Sequence, residues 1–403
     1  MSTLCRFCAR KLRRNVFKAS LHRIMFPSLL HRNRFTTDTS SVLSEMSAWQ
    51  IHQYGGNEEL SLSTTSRVPY IDHPNDIVVK VHAASVNPID VHMRSGYGQV
   101  AINLLRKQCG RLRTGSEFPL ILGRDFAGVV METGQNVKTL TVGDEVWGAL
   151  GAHRQGTHAQ YTITSETEVS KKPESLSHVQ AAAVPYVAAT VWAALCSVGG
   201  LRENSTTGKR VFITAGSGGV GSFAIQLLKT WGADVTTTCS TDAVNFVREL
   251  GASVVIDYKT QNVFDELNNL KGFDFVFDTL GGDASVYADI LKKWGNATYV
   301  SIKPPLLLNT DKLGLVGGVL KTVGSLGCNA LQGFCDGRNI RWALFMPNGK
   351  ALGKVAKLVE QGHINPVVEK VFTFEEVPSA FEKVANGHAR GKTVIQIIPS
   401  EVC

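Results

Sequence analysis

From Val211 to Gly221 the chain reads V-F-I-T-A-G-S-G-G-V-G, a short apolar strand that passes directly into a glycine cluster. Few folds accommodate such a junction. Gly216, Gly218 and Gly221 form a G-x-G-x-x-G, and Phe223 to Lys229 continues with helical character, so strand, tight turn and helix start follow in the order of a dinucleotide-binding unit. The helix start there offers unpaired N–H groups and a positive dipole end to a pyrophosphate. Glycines remove the Cβ atoms that would hold the phosphates away. The competing reading, a glycine-rich turn with no ligand, is disfavoured by how well the flanks match.

The surroundings extend this unit into an α/β domain. Between Gly208 and Ser301, strands are predicted at 211–214, 234–239, 254–258, 273–278 and 297–301. Helices are predicted between them at 223–229, 244–250, 263–270 and 284–292. Such alternation specifies a doubly wound parallel sheet. The preceding stretch from Trp49 to about Pro173 is β-rich, with strands expected at 77–81, at 127–131 and after the G-D-E turn at Gly143. After Arg341 a helix (351–361), a strand (371–374), a second helix and a closing strand (393–398) are expected to rejoin that first domain. A chain of 403 residues is long enough for two such cores. The expected division is a leader at 1–46, the first part of the β-rich domain at 47–185, the parallel-sheet domain at 186–340 and the return at 341–403.

The net charge of +8 suggests a nucleic-acid or acidic-surface partner until its distribution is considered. Residues 1–40 carry nine basic side chains and one acid, leaving 33 of each sign from totals of 42 and 34. The folded part is thus formally neutral and no nucleic-acid partner is expected. The leader is Arg-rich, holds Ser and Thr, and has no acid before Asp38, the composition of a mitochondrial transit peptide. On a helical wheel Cys8, Leu12, Val16 and Ala19 share one face opposite Arg6, Arg10, Arg13 and Arg14. Val179 to Leu201 is uncharged over more than twenty residues. Its Ala, Gly and Val content and internal Pro185 point to a packed core helix rather than a transmembrane span. The eight cysteines are scattered apart from Cys5 and Cys8, so free thiols in a reducing compartment are expected.

With V-N-P-I-D (86–90), R-S-G-Y-G (94–98), G-R-D-F-A-G-V-V (123–130), G-D-E-V-W (143–147), A-G-S-G-G-V-G (215–221) and H-A-R-G-K-T-V (388–394), the chain resembles the zinc-free quinone oxidoreductase branch of the medium-chain dehydrogenase/reductase superfamily. The resemblance covers about Trp49 to the carboxyl terminus. It implies a GroES-like β-barrel domain, a Rossmann domain and a nicotinamide cofactor in the cleft between them. Zinc members carry G-H-E where this chain has Gly123-Arg124-Asp125, and a Cys near Asn87-Pro88. Arg does not ligate zinc and Asn is a poor substitute for thiolate, so no metal is expected.

The cofactor expected is NADPH. NAD enzymes place an acid at the end of the second Rossmann strand, whereas Cys239-Ser240-Thr241 lacks one there. Ser240 is the expected donor to a 2′-phosphate, and the resemblance adds Tyr258 and Lys229 as its cover. Asp242 is expected to cap the following helix. The resemblance further implies Ser217, Gly218, Gly219, Val220 and Gly221 at the pyrophosphate, and Thr279 and Ile302 over the nicotinamide half. Phe345 and Met346 are expected to wall the cleft, with His388, Ala389 and Arg390 closing on the cofactor.

For catalysis the resemblance offers Tyr97 as proton donor, the alternative being a packed loop aromatic. Asn87 would orient substrate, the alternative being a turn in which Asp90 satisfies backbone donors. His153, His158, His178 and His363 read as surface residues. Together these imply a mitochondrial NADPH-dependent reductase of quinones or related enones. By resemblance it would support ubiquinone biosynthesis and contact reticulon and ubiquinone-biosynthesis proteins, in the matrix or associated with the outer membrane. A 2-enoyl-thioester reductase and a cofactor-binding scaffold with weak turnover are the alternatives. A homodimer is compatible with the family.

Overall fold

The computed structural model describes residues 44–110, 115–335 and 337–399, so the expected leader lies outside the described residues up to residue 43. Folded structure begins earlier than residue 47. β1 (Glu45–Ile51) pairs with β2 (Ser61–Arg67), with Glu45 opposite Arg67 and Met46 opposite Ser66, because Met46 has an apolar pocket to fill.

The barrel continues through β3 (Asp76–Val86), helices α1 (Pro88–Arg94) and α2 (Gln99–Gln108), β4 (Leu120–Ile121), β5 (Asp125–Thr133), β6 (Glu145–Ala149), β7 (Tyr161–Ser165) and β8 (Val169–Lys171). Helix α1 replaces the turn read at N-P-I-D. Asn87 caps it, Pro88 occupies its first position, where no N–H bond is lost, and Asp90 completes a capping box.

Three short elements then carry the chain across: α3 (His178–Ala182), α4 (Pro185–Val191) and a π-helical stretch at Trp192–Val198, followed by α5 (Glu203–Thr206). His178–Val198 is long and apolar enough to cross a membrane by length and composition, but 78% of its apolar window is buried inside the fold. Its alanines and valines join the large core that also holds the parallel sheet.

That sheet contains β9 (Arg210–Ile213), β10 (Asp234–Cys239), β11 (Val254–Asp257), β12 (Phe275–Asp278), β13 (Thr298–Ser301) and β14 (Asn339–Trp342). It is wholly parallel in the order β11-β10-β9-β12-β13-β14. Its connecting helices are α6 (Gly219–Thr230), α7 (Val244–Leu250), α8 (Val263–Leu270), α9 (Ala284–Ala288) and α10 (Leu306–Cys335). The strand order reverses between β9 and β12, where open α/β sheets bind ligands. Because β14 pairs with β13, the sheet domain runs past the expected end at residue 340 to Trp342.

Helix α10 departs from the sequence expectation, which placed no element there. It breaks at Gly314 (φ 70°), and its arms close on each other where Gly318 lies against the Thr310 backbone and Asn309 donates to Thr322 at 3.0 Å. Helix α11 (Gly349–Glu360), β15 (Val368–Thr373), α12 (Val377–Ala385) and β16 (Lys392–Gln396) return the chain to the barrel. There the sheet order is β15-β16-β3-β5-β6-β8, with β7 also on β3. The carboxyl-terminal strand β16 thus pairs with β3, more than three hundred residues away in the chain.

Of the four histidines expected at the surface, only His363 is exposed. His158 is fully buried, with its ring against Phe381 and Nε2 3.2 Å from the Ser85 carbonyl. Gly123, at φ 95°, leaves it room, since a Cβ there would lie 2.6 Å from the imidazole. Burial pushes the His158 pKa down to about 4. The unfolded chain therefore binds a proton there that the folded chain refuses. His158 favours folding fully above about pH 6.5, and this contribution, on the order of 3 kcal/mol, is lost as pH falls towards 4. Urea titrations of His158→Gln and the unchanged protein between pH 4 and 7 are expected to show a shallower decline in the variant across this window.

Candidate active site

The glycine turn lies at the carboxyl end of β9, on the strand-order reversal. Gly216 and Gly221 are fixed by packing. A Cβ at Gly216 would collide with Thr237 Oγ1, and one at Gly221 would collide with the Ala215 carbonyl. Gly218, the residue capping α6, has open space instead: a Cβ there would find its nearest heavy atom 3.6 Å away, and no side chain caps the helix. Ser217, Gly219 and Val220 border this open helix start. Uncapped first-turn amides beside glycines are the donor set a dinucleotide pyrophosphate requires, so the group fits here. The stretch from His388 (φ 52°) through Ala389 and Arg390 to Gly391 runs alongside, and Gly391 forms a backbone bridge to Gly218.

At the end of β10 three expected cofactor residues gather. Tyr258 N donates to the Cys239 carbonyl at 3.1 Å, bringing the phenol's residue next to Ser240. Ser240 Oγ donates to Asp242 Oδ1 at 2.5 Å, and Arg390 forms an ion pair with the same carboxylate. Asp242 therefore does not cap α7. It lies inside the preceding 3-10 turn (Thr241–Ala243), and the capping residue, Ala243, has no side chain to offer. Lys229 is a second correction: it falls in the last turn of α6, about 15 Å along the axis from the glycine turn. It lines a different cavity of about 540 Å³ with Glu203, Glu249 and Asn365.

Beyond β12, buried Asp278 shapes the loop. It accepts from the amides of Leu280, Gly281 and Gly282 at 2.9–3.1 Å and from Tyr299 Oη at 2.7 Å. Thr279 Oγ1 donates to the Thr214 carbonyl at 2.8 Å, which ties this strand end to β9. Ile302 is partly buried after β13. Phe345 stacks on Tyr186 with centroids 4.3 Å apart, whereas Met346 is 67% exposed and can only form rim.

Tyr97 stands between two left-handed glycines, Gly96 (φ 88°) and Gly98 (φ 77°). This backbone holds the residue in a tight loop between α1 and α2. Its ring is 5.7 Å from that of His92. Burial first, and then the Asp311 carboxylate, raises its pKa, so it stays protonated through neutral pH. Tyr186 at the start of α4 is a second phenol in this region. Burial raises its pKa as well, with Asp90, Asp125 and Tyr97 adding to the effect. Reading 179–201 as a packing helix passes over it, although a polar-tipped aromatic after a helix-starting proline is the available signal.

Asn87 is corrected from substrate contact to internal support. It is 1% exposed, its amide nitrogen donates to Asp125 Oδ1 at 3.2 Å, and its Oδ1 accepts from Lys392 Nζ. Lys392 Nζ also lies 3.5 Å from Asp125 Oδ2, and its stem fills the space against Gly219. Arg124 is buried on Asp90, 3.6 Å away, and donates to the carbonyls of Gly151, Arg154 and Ile121. The residues at the zinc-ligand positions are thus an amide and a guanidinium. The neighbouring carboxylate already faces an ammonium, and such a set does not fit a metal. Among the described residues no group of three His, Cys, Asp or Glu side chains is arranged to hold one.

A GroES-like barrel joined to a parallel 3-2-1-4-5-6 sheet, with an open glycine turn at the strand-order reversal, defines a nicotinamide-dependent oxidoreductase. The chain belongs to the medium-chain dehydrogenase/reductase superfamily. Residues 73–174 match the alcohol dehydrogenase GroES-like domain family, and 250–395 match a family described as zinc-binding dehydrogenase. It is 51% identical over 366 residues to the human mitochondrial NAD(P)H oxidoreductase RTN4IP1, spanning 91% of this chain and 92% of the relative. It is 37% identical over 374 residues to the mitochondrial reticulon-4-interacting protein 1 of Caenorhabditis elegans, spanning 92% and 100%. The quinone oxidoreductase of Coxiella burnetii has the same fold at a TM-score of 0.70 and 31% identity, over 88% of this chain and 99% of its own.

The Asp242 pairing yields a direct expectation about the cofactor. Asp242→Asn removes a negative charge and with it the ion pair that holds Arg390. By calorimetry the variant is expected to bind NADPH about tenfold more tightly than the unchanged protein, without a matching gain for NADH.

Proposed function

We propose that this protein is a metal-free mitochondrial oxidoreductase, using NADPH to reduce a quinone or a related conjugated carbonyl. The observation that carries this reading is the buried Lys392 bridging Asn87 and Asp125. It fills the space beside the zinc-ligand position at Asn87 with a buried ammonium, so that phenols rather than a Lewis acid are left to meet a substrate. A conjugated acceptor suits such a site, because its π system spreads the charge that an isolated alkoxide would concentrate. When bound, the cofactor supplies the hydride.

The chain's own residues do the rest. The α6 amides and Ser217, Gly218, Gly219, Val220 and Gly221 hold the pyrophosphate. Ser240, Tyr258 and Arg390 hold the adenosine phosphate once Asp242 yields, and His388 and Ala389 close over it. Thr279 and Ile302 support the nicotinamide half, and Phe345 with Tyr186 walls out water. Tyr97 keeps its proton at neutral pH and delivers it to the enolate or phenolate oxygen. An NADH preference is the second reading, favoured by Asp242, whose carboxylate suits two ribose hydroxyls better than a phosphate.

The names of the human and nematode relatives support a mitochondrial location and contact with a reticulon. A matrix site and a step in ubiquinone biosynthesis extend that reading to this chain. The test is to supply the purified protein with NADPH and separate panels of quinones, enones and 2-enoyl thioesters. Quinone or enone turnover is expected; turnover confined to thioesters would move the assignment to an enoyl-thioester reductase, and none with any acceptor would favour a binding scaffold. Tyr97→Phe is expected to lower kcat about a hundredfold, with NADPH affinity by calorimetry unchanged.

A further inference from the structure

Helix α2 is capped by Gly98, a residue with no side chain to hold its first amides, and has no acid in its own first turn. The cap comes from the other domain. Asp311, in the first arm of α10, accepts from Gly98 N through Oδ2 at 2.5 Å and from Val100 N through Oδ1 at 3.2 Å. These two amides bracket the residue that follows the Tyr97–Gly98 bend. The arm carrying Asp311 packs on α2, and Leu307 Cδ1 lies 3.5 Å from where a Cβ on Gly98 would be.

This arm is braced from behind. Asn309 and Thr322 share a buried hydrogen bond, and Gly318 meets the Thr310 backbone so closely that a Cβ would approach it to 2.5 Å. The arm also follows β13 after only a short loop, so its position is set by the strand ends where the nicotinamide half is assigned. A carboxylate on a stiff arm of the cofactor domain therefore holds the loop that carries the barrel domain's tyrosine.

We infer that Asp311 is the positioning residue for Tyr97, fixing the tyrosine loop to the cofactor domain so that phenol and hydride donor keep a constant separation. The inference rests on the proton-donor role given to Tyr97 above. Asp311 has a second effect, because its charge helps to hold the phenol protonated. The other ionisable groups facing Tyr97 are His92 from α1 and Tyr186 from α4, with Lys303 acting on His92 from the loop after β13. None of these bonds to the α2 amides.

The test uses the full-length chain with NADPH and the quinone or enone acceptor turned over by the unchanged protein. Asp311→Ala is expected to lower kcat by about tenfold to a hundredfold, with NADPH affinity by calorimetry unchanged and faster hydrogen exchange at residues 98–100. Asp311→Glu is expected to recover most of the rate. Asp311→Asn keeps an acceptor oxygen but loses the charge, so the basic limb of its rate profile is expected to move to lower pH. Adding Asp311→Ala to Tyr97→Phe should cost nothing further, since both act on one proton. A slow Tyr97→Phe beside an Asp311→Ala with unchanged kcat would overturn the positioning role and leave the proton donor standing. A Tyr97→Phe with unchanged kcat would overturn both.

Discussion

The buried ammonium of Lys392 is the interaction on which the arrangement of both domains depends. It meets the Asn87 amide oxygen and faces Asp125, while its methylenes fill the gap beneath Gly219. One side chain thereby joins the last strand, the cap of α1, the start of β5 and the glycine turn. Removing one partner of a buried pair strands the other's charge, at a cost of about 3–5 kcal/mol. This cluster explains why β16 must travel back from the far end of the chain. Without it the barrel would leave Asp125 without its cation and the glycine turn without its floor.

Around that floor, polar groups divide between support and chemistry. Asp90 with Arg124, and Asp278 with the loop after β12, satisfy buried backbone and fix loop shape. Burial raises the pKa of Asp90 and Asp125 against the opposing pull of their cations, which marks the cost of keeping charge in this core. Outside these supports stand the half-buried phenols of Tyr97 and Tyr186, the uncapped start of α6 and the Asp242–Arg390 ion pair after β10. Asp242 there engages both Ser240 and Arg390.

Much of the framework was legible because its signals are local. The glycine spacing, the alternation of apolar strands and amphipathic helices, and β10, α7 and α8 at their observed limits follow from periodicity and turn chemistry. Elements whose stability comes from distant partners were not legible. α1 reads as a turn because N-P-x-D serves either. α10 escapes a local reading because its interior glycines argue against a helix until the two arms close on each other. His158 reads as surface because no local pattern reveals that Phe381 and Ser85 enclose it.

By itself the sequence determined the parallel sheet, the glycine turn and the residue types, an amide and a guanidinium, at positions 87 and 124, since each depends on residue type at short spacing. Only the tertiary structure decided what the site residues do. Asn87 became a support, Asp242 paired with Ser240 and Arg390, Lys229 was carried to the opposite end of its helix, and Asp311 came to hold the tyrosine loop from 213 residues away. The physical reason is that a hydrogen bond or ion pair depends on separation in space. Spacing along the chain fixes that separation only within a helix, a strand or a turn.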